Sequence, residues 1–353
     1  MFPIVAEKYK FIIGVDTHAR KHVSTIINNL GVVIAIREFR VTTCDINKFI
    51  DWVLKVAGVD NEKILFAIEG TSSYGETLTQ ELLKRELEVT EVKPPKTKSR
   101  GGDGKTDQID SELAALNILR LPLNKLTKPR LGEKRKTLRV ILASRRMLIA
   151  QQTMNKNALI ALLRSEYIGI DARKPLTPAD YCTIARWKLK DTDNYYYIKW
   201  EAKRIAKAII VLAEELASNK QRLYDVVSVI APDLLNETGI GPVTLAQVLC
   251  AYSHKGRVCS AEAFASLAGA TPIPASSGNT NHFRLNHYGD RQLNHALNVI
   301  ALIRMRIDTT TKVYVKKRLE QGLSQRDIRR SLKRYIARSL YRKLEACNIT
   351  AKI

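Results

Sequence analysis

Over its first 120 residues the chain alternates short β-rich apolar runs with amphipathic segments, and this alternation limits the possible folds most. Residues 9–15 (YKFIIGV), 22–28 (HVSTIIN) and 32–39 read as strands, with a turn at Asn29-Leu30-Gly31. They predict an antiparallel three-strand meander. Residues 45–56 then place Ile46, Phe49, Ile50, Val53 and Leu54 at helical spacing. A strand over 63–68 (KILFAI) is followed by a Gly/Ser turn that opens a helix (GTSSYGETLTQELLKREL). A short strand over 89–92, a basic Gly/Pro-rich loop and a helix in KTDQIDSELAAL complete the order βββαβαβα.

Acids sit at the ends of these elements. Asp16 closes the first strand, Glu69 closes the fourth, and Asp107 and Asp110 lie i and i+3 on the last helix. If the first and fourth strands are adjacent and parallel, Asp16 and Glu69 leave the sheet at one edge. A helix packed beside that edge brings Asp107 and Asp110 to it. Leu113 and Leu116 continue the same spacing, which predicts that this face of the helix packs inward. Two acids on a buried face repel and lose hydration unless a cation neutralises them. Such an edge suits two Mg²⁺ ions ~4 Å apart, stabilising the attacking and leaving oxygens of a phosphoryl transfer. Each acid alone has a plainer explanation. Asp complements a helix dipole at the N-terminus, Asp16 fits a turn or cap, and Glu69 fits a strand rim. Four acids at matching element ends favour a shared site.

Charge points to the partner. The chain carries 58 Lys+Arg against 35 Asp+Glu, a net charge of +23, which calls for nucleic acid or an anionic membrane. No apolar run approaches the ~18 residues needed to span a bilayer. The N-terminus mixes acid and base and leads straight into a strand, unlike a signal peptide. Five scattered cysteines without a CxxC fit reduced core thiols in a cytoplasm. Nucleic acid is therefore the favoured partner.

From 129 to 230 two long periodic segments flank a polar, Pro-containing break, which predicts paired antiparallel helices of coiled-coil type. Arg139, Arg145 and Arg146 fit a phosphate backbone and a solvated helix face equally well. Residues 234–251 look like a helix-hairpin-helix element. Its Gly239-Ile240-Gly241 hairpin would present backbone amides to a DNA phosphate, and a Gly-punctuated turn is the simpler alternative. Residues 271–284 form a small polar loop around Ser276-Ser277-Gly278, followed by Arg284, His287 and Arg291. A serine beside cations could attack phosphate, but loops are commonly rich in Ser and Gly, and residue types alone favour the loop. Residues 312–343 read as a basic helical pair. Arg330, Arg334 and Arg338 are interleaved there with Tyr335 and Tyr341, a footprint for a nucleic-acid backbone.

GVDTHARKH, AIEGTSSYG and KTDQIDSELAAL resemble the N-terminal DEDD domain of insertion-sequence transposases related to the Piv-type invertases. This is the insertion-sequence family numbered one-ten. ETGIGPVTLAQVL and LAGATPIPASSGNTNHFRLNHYGDRQLNHAL resemble its C-terminal transposase domain. The resemblance covers most of 10–120 and 230–345. It implies a RuvC-like, ribonuclease H-type α/β domain over 1–128. A helical, coiled-coil-like connector over 129–230 and a mainly α transposase domain over 231–353 would follow. It implies a tetrad of Asp16, Glu69, Asp107 and Asp110 holding Mg²⁺, with two ions expected and Mn²⁺ an acceptable substitute. It places a nucleophilic serine before a glycine at Ser277, with Ser276 adjacent. Ser111 departs from the small alanine expected after Asp110.

The implied activity is recombination of donor and target double-stranded DNA through a covalent phosphoserine link and a strand junction. A structured noncoding guide RNA from the element is the implied further partner. Serine and tetrad lie far apart in the sequence, and synapsis of two DNA segments calls for a homo-oligomer, dimer or tetramer. The competing expectations are a Piv-like invertase, a RuvC-like junction endonuclease using water as nucleophile, and a non-enzymatic nucleic-acid-binding protein.

Overall fold

The computed structural model describes residues 3–93, 106–165, 168–190, 192, 195–275 and 283–347. The chain divides into two compact units, Met1–Leu131 with Gly256–Val258, and Gly132–Lys255 with Cys259–Ile353. The second unit thus contains both the long helical segments and the C-terminal segment.

The first unit begins with a one-turn helix, α1 (Val5–Lys8), where the sequence predicted a direct entry into a strand. The remaining elements follow the predicted order: β1 (Phe11–Thr17), β2 (Lys21–Asn28), β3 (Val33–Arg40), α2 (Thr43–Ala57), β4 (Ile64–Glu69), α3 (Glu76–Lys84), β5 (Glu88–Val92) and α4 (Asp107–Leu119). The sheet order is β3-β2-β1-β4-β5. β1 runs antiparallel to β2 and parallel to β4, and β4 runs parallel to β5. This mixed sheet, covered on both faces, agrees with the RuvC-like fold.

Strand alternation sorts the core into two layers. Ile13, Val15, Ile64, Phe66 and Ile68 pack with Phe49, Ile50, Leu78 and Leu82 of α2 and α3. The other parity, Ile12, Leu65 and Ala67, packs with Val5, Tyr9, Ala115 and Ile118 of α1 and α4. By the same parity Gly14, Asp16 and Glu69 belong to the α4 face. The inward face of α4 consists of Asp110, Ser111, Ala114, Ala115 and Ile118. This corrects the expectation that Leu113 and Leu116 lead it, since both are only half-buried. Small residues win because α4 crosses close over Gly14, where a Cβ would stand 1.9 Å from the Ser111 carbonyl oxygen.

The second unit is mainly helical. It comprises α5 (Glu133–Ser165), α6 (Pro178–Ala185), α7 (Tyr196–Ile230), α8 (Pro232–Leu235), α9 (Pro242–Tyr252), α10 (Ala261–Leu267), the ribbon β6 (Ile273–Pro274) with β7 (Phe283–Arg284), α11 (Arg291–Ile307), α12 (Thr309–Glu320) and α13 (Gln325–Ala346). α5 and α7 pair antiparallel, as predicted. Asn219 Nδ2 donates to the Ile141 carbonyl at 3.0 Å, and Arg145 Nη1 donates to the Leu216 carbonyl at 3.1 Å. Arg145 is therefore engaged in helix pairing and not in presenting charge outward.

The polar break holds an unforeseen helix, α6. Thr177 and Asp180 cap its start reciprocally, with Pro178 in its first turn. α9, α11 and α13 bury Leu249, Leu297, Ile300, Ile336 and Leu340. All five cysteines are free, but Cys44 and Cys259 are exposed, so the expectation of core thiols fails for these two. No helix among the described residues is long and apolar enough to cross a membrane.

Candidate metal centre

The parallel register of β1 and β4 runs from Phe11 opposite Ile64 to Val15 opposite Ile68, so the next residues, Asp16 in the last two residues of β1 and Glu69 at the end of β4, come at the same edge of the sheet. Thr17 ties these ends together, its hydroxyl donating to the Glu69 carbonyl at 2.9 Å. α4 starts at the same face. Thr106 caps it, accepting from the Ile109 amide at 3.3 Å, which places Asp107 and Asp110 in the first turn. Both acids therefore complement the helix dipole and also stand beside the strand ends. A buried hydroxyl pair, Thr25 Oγ1 and Ser111 Oγ at 2.7 Å, pins α4 to β2. The serine that departs from the expected alanine thus anchors the helix that carries the acids.

The structure adds a residue that sequence reasoning missed. His18 Nε2 lies 3.2 Å from Asp16 Oδ2 and 3.3 Å from Asp107 Oδ1. Asp16, His18 and Asp107 together offer ligand atoms all within 4.8 Å of one another. Burial pushes the Asp16 carboxyl above its ordinary range. The His18 imidazole pulls it back, and the Asp107 and Asp110 charges push it up again. Asp110 is itself buried. His22 holds the approach to this turn, its Nδ1 accepting from the His18 amide at 3.2 Å. Burial lowers His22 to about 4, so it is neutral, and that hydrogen bond selects the Nε2–H tautomer.

These residues fit a divalent cation. His18 Nε2 is buried between the Asp16 and Asp107 carboxylates. A metal would satisfy an imidazole nitrogen placed that way. Burial first, and the Asp107 and Asp110 charges after it, raise Asp16, and a cation there would favour its ionised form. Asp16 and Asp107 supply hard oxygens of the kind Mg²⁺ and Mn²⁺ take, and His18 adds a nitrogen that favours the softer ion; the expected Glu69 and Asp110 stand outside this group of three.

In the second unit the expected nucleic-acid contacts meet different fates. Gly239 adopts φ +86°, and a Cβ there would lie 3.1 Å from the Ile300 carbonyl oxygen. The hairpin amides are largely used internally. Ile240 donates to the Glu237 carbonyl at 3.1 Å, Gly241 donates to Thr244 Oγ1 at 3.0 Å, and Pro242 has no N–H. The expectation that Gly241 offers its amide to a phosphate is corrected accordingly. Arg304 braces this hairpin from α11, its Nε donating to the Thr238 carbonyl at 2.8 Å. Arg284 is exposed on β7, and Arg291 is exposed at the start of α11.

On α13, Arg330 pairs with Asp327 at 2.7 Å, Arg338 Nε lies 3.3 Å from Glu262 Oε1, and Arg334 lies 5.7 Å from the Tyr335 ring centroid. The tail is therefore partly neutralised, by Asp327 of α13 itself and by Glu262 of α10. Ser276 and Ser277 lie outside the described residues, as does most of the basic loop before α4.

Two family models match the chain. Residues 13–168 match a transposase model of the DEDD, IS110 type, and residues 232–316 match the transposase IS116/IS110/IS902 family. Together they cover about two thirds of the chain. No curated protein matches it.

Proposed function

Because the chain belongs to the IS110 family of DEDD transposases, enzymes that act on DNA in transposition and recombination, we propose that it cuts and rejoins DNA strands at a divalent-metal centre of Asp16, Glu69, Asp107 and Asp110. The observation that carries this reading is the cluster of Asp16, His18 and Asp107 where β1 and α4 meet, with Glu69 ending the neighbouring strand. Asp16 and Glu69 supply carboxylates from the sheet edge, and Asp107 and Asp110 supply them from the first turn of α4. Bound there, Mg²⁺ neutralises charge on the scissile phosphate and favours the ionised nucleophile.

The Ser277 hydroxyl is the nucleophile in this reading, supported by its place before Gly278 inside the second matched segment. Its oxygen bonds to phosphorus as the bond from phosphorus to one DNA strand end breaks, and the serine proton leaves with the departing DNA oxygen. Attack by a different strand end reverses the step and restores the serine, so no external energy source is consumed. Exchange between donor and target requires two active serines, which supports an even-numbered homo-oligomer. The net charge of +23 suits a structured guide RNA as well as two DNA duplexes.

The test uses a plasmid carrying the coding segment with its genomic flanks, incubated with the full chain and Mg²⁺. A covalent protein–DNA adduct is expected for the wild type. Asp16→Asn and Ser277→Ala should both lose it while still binding DNA. Full cleavage by Ser277→Ala would instead assign water as the nucleophile, making the chain a junction-type endonuclease. Unchanged strand exchange by Asp16→Asn would remove the metal centre from the reading.

A further inference from the structure

The second unit contains a cavity of about 450 Å³ between the β6–β7 ribbon and α13. Arg284, Arg330, Lys333 and Arg334 line it, against one acid, Asp327. Asp327 is already engaged, capping α13 through Ser324 and pairing with one Arg330 nitrogen. Arg330 retains further donors, since a guanidinium has five. Arg334 Nε is buried and has no hydrogen-bond partner. Lys333 is held by the Asn294 side-chain oxygen at 3.1 Å. Burial, then the charges of Arg329 and Arg330, lower its proton affinity. An anion placed here would satisfy the orphaned nitrogen and relieve cation–cation repulsion.

The wall opposite is built for permanence. Gly289 abuts Gly269 so closely that a Cβ would stand 2.3 Å from the Gly269 nitrogen. Asn294 Nδ2 donates to the Ala268 carbonyl at 2.6 Å, and the Asp290 amide donates to the Leu267 carbonyl at 2.6 Å. One aromatic ring stands at the cavity mouth: Phe283 lines it and is 61% exposed. Tyr288, next in the chain to the lining residue His287, is 90% exposed. Cations that bind a backbone phosphate, beside an uncovered aromatic ring, form the combination that receives unpaired nucleotides. A duplex keeps its bases stacked inside and must unstack a step to use such a ring, whereas an unpaired base meets it at no such cost.

We propose that this cavity is a subsite for an unpaired strand, with one backbone phosphate on Arg330, Lys333 and Arg334 and one base stacked on Phe283. Strand exchange must expose such nucleotides, and a guide RNA also carries them. The subsite's role rests on the strand-exchange reading, although its ligand chemistry does not.

The experiment measures fluorescence anisotropy of labelled oligo-dT, oligo-rU and a duplex of equal length with the full chain in EDTA, so the metal centre plays no part. Phe283→Ala should weaken one or both single-stranded probes about 5- to 150-fold and leave the duplex unchanged. Arg334→Gln should lower the single-strand salt slope by about 0.7. Photo-crosslinking with 5-iodouracil probes should label the peptide containing Phe283 and Tyr288 and should fail with the duplex. A larger effect on oligo-rU assigns the strand to RNA, and a larger effect on oligo-dT assigns it to DNA; either result supports the subsite. Equal loss for duplex and single strands in Phe283→Ala, or no crosslink to that peptide, overturns it. Every readout is binding or crosslinking without metal, so loss of strand exchange in Asp16→Asn leaves this inference standing.

Discussion

Gly14 of β1 lies directly beneath Ser111 of α4: a Cβ on Gly14 would stand 1.9 Å from the Ser111 carbonyl oxygen and 2.8 Å from the Ala115 nitrogen. No side chain can occupy that space while the helix keeps its place. Asp16 is two residues along the same strand face, and Asp110 immediately precedes Ser111. The separation between the sheet acid and the helix acids is therefore set by the absence of one methyl group.

Gly14→Ala should push α4 away from the sheet. Overpacking of this kind costs about 1–3 kcal/mol, read as a lower urea midpoint. Metal-dependent strand exchange should fall more than stability does, because the acids on α4 move with the helix. Comparison at a temperature where the variant remains folded separates the two effects.

The hydroxyl pair of Thr25 and Ser111 makes a second prediction. Ser111→Ala leaves Thr25 Oγ1 buried without its partner, at a cost of about 1–3 kcal/mol. Thr25→Val in the same background should recover most of that loss, since removing both polar groups is nearly neutral. A double-mutant cycle by urea unfolding gives the coupling directly.

The alkaline limit of stability should depend on Tyr9. Burial, then its hydrogen bond to Glu88, pushes the phenol from its ordinary 10 up to about 12, with Lys8 opposing. The unfolded chain releases this proton first. The Tyr9 contribution is therefore full below pH 10 and is lost as pH rises toward about 12. Urea midpoints for the wild type and Tyr9→Phe should diverge in slope across that window and run parallel below it.

Much of this architecture was legible in the sequence. Continuous apolar runs in YKFIIGV and KILFAI marked the strands, and the acids at their ends marked the sheet edge, because a central strand covered on both faces buries nearly every side chain. The inward face of α4 was misread for a physical reason. Leucines at Leu113 and Leu116 carry the louder apolar signal, whereas close packing over Gly14 selects Ser111 and Ala115. His18 had a signal, two residues after Asp16 in GVDTHARKH, but a lone histidine in a polar turn says nothing until α4 brings Asp107 to it. Helix α6 was announced by Thr177-Pro178-Ala179-Asp180, a capping sequence hidden in a stretch whose prolines and charges read as loop. The pairing of Arg330 and Arg338 with acids could not be read from a basic tail, since Glu262 is far from Arg338 in the chain.

The claim that Asp16, Glu69, Asp107 and Asp110 hold a divalent cation is tested most directly by calorimetric titration of Mn²⁺ and Mg²⁺ into the full chain and into Asp16→Asn. Saturable binding by the wild type, weakened about tenfold or more in the variant while its circular dichroism is unchanged, is the predicted result. Equal binding by both proteins, or no binding by the wild type, would contradict it.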